Sequence, residues 1–269
     1  MVVPHFPRMA SPVANRIKEP PEPPLTASGG WCRRCGAMHS LPLGQAREAC
    51  LQLMAQLSRH QRIDFAVPEE KADPHCSTRN LFGEAGGKMF GMLSCRDGQG
   101  DRVMLQAFSG QYNGLWQVDG WVGPVFDVPA FEGLILTPEQ EIKRIGREMA
   151  PLAKGSSRYC QLLLQRRILS RHLMRDIHNL YRLVNFRGET ASLTTAFIGA
   201  GAPPSGTADC CGPKLLHYAA TRGLRPEAMA EFYWGASNVS STRLQGRLYP
   251  ACAAKCQPIL GFMLCGVQP

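Results

Sequence analysis

Cysteines are the residues whose placement points most directly to chemistry. The chain has eleven in 269 residues. Four of them fall in two runs near the end: Asp209-Cys210-Cys211-Gly212-Pro213-Lys214, and Tyr249-Pro250-Ala251-Cys252 through Lys255-Cys256. Each run opens a helix-like segment. Gly206 and Asp209 are loop and N-cap types, Pro213 suits a first helical turn, and Leu215, Leu216, Tyr218 and Ala219 follow. After Cys252 and Cys256 come Ile259, Leu260 and Met263, and cysteines four apart on a helix share a face. A thiolate at a helix N-terminus is favoured by the backbone dipole. Between the two runs, Met229 to Trp234 is apolar and aromatic and ends at Gly235, which reads as a strand.

This order resembles the zinc nucleobase deaminases, in which one Cys or His and a Cys pair hold the metal and a water takes the fourth position. The resemblance implies Cys210, Cys252 and Cys256 as zinc ligands. Two features depart from it. The pair encloses three residues where two are usual, and Gly212 stands where the proton-shuttling glutamate belongs. Glu231 or Asp209 must then supply the catalytic carboxylate, or there is none. The plainer alternative is buried, reduced cysteines packing as small hydrophobes.

A second metal motif lies far upstream. Trp31-Cys32-Arg33-Arg34-Cys35-Gly36 has the shape of a zinc knuckle, with glycine allowing the tight turn that brings both sulfurs to one ion. Its remaining ligands are open: His39, Cys50, His75 and Cys76 are the candidates. No strand precedes the pair, which argues against a thioredoxin-like role.

The elements that must position these groups follow from periodicity. Residues 1–30 are Pro-rich, end in Ser28-Gly29-Gly30, and read as a solvated tail. Ala46, Ala49, Cys50, Leu53, Met54 and Leu57 make one apolar helix face over 43–57. Met89–Ser94 and Val103–Phe108 are strand-like and joined by Asp97-Gly98-Gln99-Gly100-Asp101, a hairpin. Gly86-Gly87-Lys88 lacks the spacing of a phosphate-binding loop. Thr137-Pro138-Glu139-Gln140-Glu141 reads as a helix start, running to about Met149. A longer helix spans 157–184. Its apolar face is Leu162, Leu169, Leu173, Ile177, Leu180 and Val184. A second stripe carries Arg167, Arg171, Arg175, His178 and Arg182, which either tracks a phosphate backbone or is a solvated face. Ser192–Ile198 reads as extended. Phe232, Tyr233 and Trp234 offer stacking surfaces for an unpaired base, or core packing.

The formal net charge of +9 favours an anionic partner, nucleic acid above all. An apolar content of 44% is ordinary for a globular chain. No apolar run is long enough to span a bilayer, and no secretory signal is visible, so a cytoplasmic setting without membrane contact is expected, with thiols and metal sites ahead of disulfides.

Several blocks resemble the N-terminal extension carried by a subgroup of bacterial ribosomal and transfer RNA pseudouridine synthases. They are Gly87-Lys88-Met89-Phe90-Gly91, Ala107-Phe108-Ser109-Gly110, Pro124-Val125-Phe126-Asp127, Gly188-Glu189 with Ser192-Leu193, Pro213 to Ala219, Met229 to Gly235, and Tyr249 to Cys252 with Lys255-Cys256 and Pro258-Ile259-Leu260. The resemblance covers roughly 40–266. The Arg-Leu-Asp of the synthase active site is not found, so the resemblance implies an RNA-modification setting, with a modification enzyme as partner, and gives no reaction. The expected fold is α+β or α/β: an antiparallel hairpin region plus a long helix, followed by a deaminase-like mixed sheet with cysteine-headed helices. The expected divisions are a tail (1–30), an N-terminal α/β region with the Cys pair (31–136), a helical connector (137–186) and a Cys-rich region (187–269). Two functions follow: a zinc-dependent deaminase-like enzyme on RNA or single-stranded DNA, with Arg167, Arg171, Arg175, Arg182 and Lys214 on the nucleic acid, or a non-catalytic zinc-stabilised RNA-binding module.

Overall fold

The computed structural model describes residues 27–83, 86–238, 240 and 242–267. Residues 1–26, most of the expected tail, lie outside the described residues. Ser28, Gly29 and Gly30 belong to a strand, β1 (Ala27–Cys32), which pairs antiparallel with β2 (Ala37–Pro42). A strand therefore does precede the Cys32/Cys35 pair. Next come α1 (Gly44–His60), β3 (Lys88–Arg96) and β4 (Arg102–Phe108). Two long helices follow, α2 (Val128–Met149) and α3 (Ser157–Leu180), then β5 (Arg182–Val184), β6 (Thr190–Ser192) and α4 (Leu193–Ala196). The chain ends with α5 (Cys211–Thr221), β7 (Arg225–Trp234), β8 (Leu248–Tyr249) and α6 (Gln257–Met263).

The α+β class holds. The central sheet has the order β4-β3-β7-β8, so strands from 88–108 and 225–249 share one sheet. It is antiparallel throughout rather than mixed, because β7 runs against both β3 and β8. The segment 235–247 turns the chain straight back onto β7, whereas a parallel partner would need a crossover.

Side chains alternate across a strand, and that alternation sorts the core into two faces. Phe90 and Met92 on β3, with Ala228, Ala230 and Phe232 on β7, pack on one face against Ala46, Ala49, Cys50, Leu53 and Leu57 of α1. Leu93 and Cys95, with Met229, pack on the other against Cys211, Leu215, Leu216 and Ala219 of α5 and Ile259, Leu260 and Met263 of α6. By the same period, Glu231 must point toward α5. Burial of Phe232 and Tyr233 makes them core residues rather than exposed stacking surfaces: Phe232 stacks on Phe90, and the Tyr233 hydroxyl donates to the Ala236 carbonyl.

Three boundaries differ from expectation, each for a capping reason. α2 begins nine residues before Thr137, because the Asp127 carboxylate accepts from the Ala130 N–H at 2.8 Å and Pro129 sits in the first turn. Pro138 is then inside the helix. α3 stops at Leu180, where Tyr181 turns extended and its hydroxyl donates to Asp209 Oδ1 at 2.7 Å. Within 192–198 the Ser192 side chain caps α4 instead of continuing a strand. α2 and α3 form a helical hairpin whose outer part has its own small core of Ile145, Met149 and Leu162. Among the described residues, no helix is long and apolar enough to cross a membrane.

Candidate functional site

The two cysteine-headed helices point their N-termini at one region. Cys210 is the N-cap of α5, and Cys256 is the N-cap of α6. One helical turn earlier, the Cys252 carbonyl accepts from the N–H groups of Cys256 and Gln257, both at 3.0 Å. This turn brings Cys252 back beside Cys256. Cys210 and Cys252 are the neighbours that act most strongly on the Cys256 thiol. The hydrogen bond from Cys256 pulls the Cys252 thiol down to about 5, with further help from the N–H groups of Lys255, Ala254 and Cys256 against the opposing effect of burial. Cys256 is correspondingly pushed well above the ordinary thiol range, first by its bonds to Cys210 and Cys252 and then by burial. Of the two thiols, Cys252 is the one favoured to ionise. The three sulfurs are gathered but are not all within 4.8 Å of one another.

Glu231 faces this trio. Its side chain is 4% exposed, and Oε1 accepts from the Gly212 N–H at 2.7 Å. A Cβ placed on Gly212 would stand 2.9 Å from that same oxygen. Gly212 therefore has no room for a side chain on this side, and the Glu231 carboxylate reaches across from β7 onto its backbone. Burial raises the Glu231 pKa to about 7, with the Gly212 N–H opposing and the Cys252 charge reinforcing the rise. A carboxyl balanced near neutrality can both take and return a proton. Asp209 sits differently. It accepts from Tyr181, its charged neighbours are Lys214, Lys255 and His178, and burial raises its pKa.

Lys214, expected on the nucleic-acid surface, is 1% exposed, and this corrects that assignment. Its ammonium donates to the Phe108 carbonyl at 2.9 Å and the Gly110 carbonyl at 2.8 Å, and lies over the Phe108 ring. It ties α5 to the end of β4. Cys211 is also wholly buried, with its thiol donating to the Met89 carbonyl. His178 is buried as well and leaves the outward stripe of α3. Arg167, Arg171, Arg175 and Arg182 are exposed, and among the described residues none is in an ion pair.

The second motif is more tightly built. Cys32 ends β1, and Gly36, at φ 59°, closes the turn with its N–H on the Cys32 carbonyl at 2.9 Å. Cys32 is opposite Ala37, so His39, two residues on, shares its face. Of the upstream candidates only His39 is in place. Cys50 and Cys76 are in the core near α1, and His75 is exposed against Asp73. The fourth member, Cys265, comes from beyond α6 and carried no local sequence signal. The ligand atoms of Cys32, Cys35, His39 and Cys265 all lie within 4.8 Å of one another, and this Cys/His group can hold a metal ion. Hydrogen bonds from His39 and then Cys265 lower the Cys35 thiol to about 7.

A cavity of about 750 Å³ opens beside His39, between Met38–Pro42 and Arg225–Glu227. It does not reach the Cys210 trio. Set against protein-family models, curated proteins and solved structures, the chain matches none of them.

Proposed function

We propose that the chain is a zinc-dependent, deaminase-like protein working on nucleic acid, RNA in a base-modification setting. Cys210, Cys252 and Cys256 would hold the metal. The donor set suits zinc: two of the thiols cap helix N-termini and the third, Cys252, has its pKa lowered to about 5. Zinc bound by three thiolates keeps a fourth position open and acidifies the water there. Glu231 takes the role of proton carrier. It would accept a proton from the nucleophile and return it to the ring or to the leaving amino group, which requires a carboxyl near neutrality. The Gly212 N–H holds Oε1, which leaves Oε2 to carry the transferable proton. The exposed arginines of α3 would take phosphates.

One observation carries this reading: a buried carboxylate, Glu231, is held 2.7 Å from the backbone N–H of Gly212, the second residue after Cys210. The test is the Glu231→Gln variant against structured RNA and single-stranded DNA. Loss of base conversion with unchanged RNA affinity is the expected result. A wild-type protein that binds zinc and RNA but converts no base would favour the second reading, a zinc-stabilised RNA-binding module serving a modification enzyme. The deep burial of Glu231 speaks for that alternative, and none of the trio lines the cavity beside His39.

A further inference from the structure

The geometry points to a second, structural zinc held by Cys32, Cys35, His39 and Cys265, which staples the β1–β2 hairpin to the last helix. A tetrahedral ion with Zn–S near 2.3 Å sets its sulfurs about 3.8 Å apart. The Cys35 and Cys265 sulfurs are 3.5 Å apart. The whole group fits inside 4.8 Å, so closing on an ion needs shifts of at most about 1 Å. Three thiolates and one imidazole favour zinc over hard cations, and four protein ligands leave no open position.

Two independent observations support a ligand here. The His39 Nε2 is buried without a hydrogen-bond partner among the described residues. An orphaned buried nitrogen costs about 1–3 kcal/mol unless something engages it. Arg187 Nε donates to Cys265 Sγ at 3.3 Å. A guanidinium on a ligand sulfur balances the net negative charge of a zinc with three thiolates and orients that ligand. Backbone packing shows that the two segments are built to meet. A Cβ on Gly30 would be 2.2 Å from the Gln257 carbonyl, and one on Gly261 would be 2.0 Å from the Trp31 carbonyl. Only glycines permit this approach, and the clasp lies at its end. Binding displaces the thiol protons of the three cysteines and takes His39 as the neutral ring.

The consequence is positional. Cys256 caps α6 at one end and Cys265 follows it at the other, so an ion at the clasp fixes the helix that presents Cys256. This inference does not depend on a metal at Cys210, Cys252 and Cys256.

Native mass spectrometry of the full chain, with the trio disabled by Cys210→Ser and Cys252→Ser, tests it. That variant is expected to retain one zinc per chain, and adding His39→Ala or Cys265→Ser is expected to remove it. A second readout needs no variant. Cys35 is exposed, yet its alkylation in the zinc-loaded wild type should be at least tenfold slower than after chelation. Equal alkylation rates, or a Cys35–Cys265 disulfide in protein purified with no metal, would overturn the proposal.

Discussion

At Glu231 two demands on one side chain oppose each other. A carboxyl buried between α5 and β7 with a single N–H donor is poorly solvated when ionised, and its pKa rises from the ordinary 4.5 to about 7. Because the folded value is the higher one, the group favours folding most below pH 4.5 and costs stability as pH rises through 7. The difference amounts to about 3 kcal/mol above that window. Glu231→Gln keeps an acceptor for Gly212 and removes the charge. In metal-free protein it is expected to raise the melting temperature at about pH 8 and to leave it nearly unchanged at about pH 5. A gain of equal size at both would show that Glu231 is not the strained group. A residue that lowers stability at neutral pH is what a proton-transfer role requires. The residue was legible as a candidate in the sequence. That its carboxylate meets the Gly212 N–H was not, since strand alternation and helix packing together decide it. Asp209 looked equivalent on paper and differs through Tyr181 and the basic groups Lys214, Lys255 and His178 around it.

Elements rather than single residues decide where charge reaches solvent. Helical spacing marked Arg167, Arg171 and Arg175 on α3 as one stripe, and exposure bears that spacing out. It also marked His178, which the turn at Tyr181 buries, and the basic residue of α5, Lys214, which became an internal strut. Charge type is visible in a sequence, but which side of an element meets a neighbour is visible only where apolar residues define the opposite face. The knuckle shows the same limit: Cys-x-x-Cys-Gly was readable, whereas Cys265 is a lone cysteine until α6 lies on β1. The two kinds of basic residue should behave differently. Arg171→Ala with Arg175→Ala is expected to weaken RNA binding and to flatten its salt dependence, by about 0.7–0.9 in log–log slope per lost phosphate contact. Lys214→Met should leave the slope alone and lower stability by about 1–3 kcal/mol, because the Phe108 and Gly110 carbonyls lose their donor. An unchanged slope in the arginine pair would remove α3 from the nucleic-acid surface.

Over the whole molecule, the sheet and the helical hairpin are separable in construction. The bases of α2 and α3 join the main core through Val128, Phe131, Ile177 and Leu180, while the outer turns pack on Ile145, Met149 and Leu162 alone. Both cysteine groups belong to the sheet and its covering elements, and the chain reaches them from opposite ends. Replacing 137–169 with a short Gly-Ser loop removes the outer core and Arg167 but keeps the residues that touch the sheet. Because antiparallel neighbours bring the two cut ends close together, loop closure adds little cost. The shortened protein is expected to melt cooperatively, to retain the Cys32–Cys265 metal, and, because Arg171, Arg175 and Arg182 remain, to lose only the share of the salt dependence that Arg167 carries. Thermal melting, metal content and RNA titration at two salt concentrations check the three parts. If the shortened chain loses salt-sensitive RNA affinity altogether, the phosphate-binding surface lies in the outer hairpin and not on the part of α3 that adjoins the sheet.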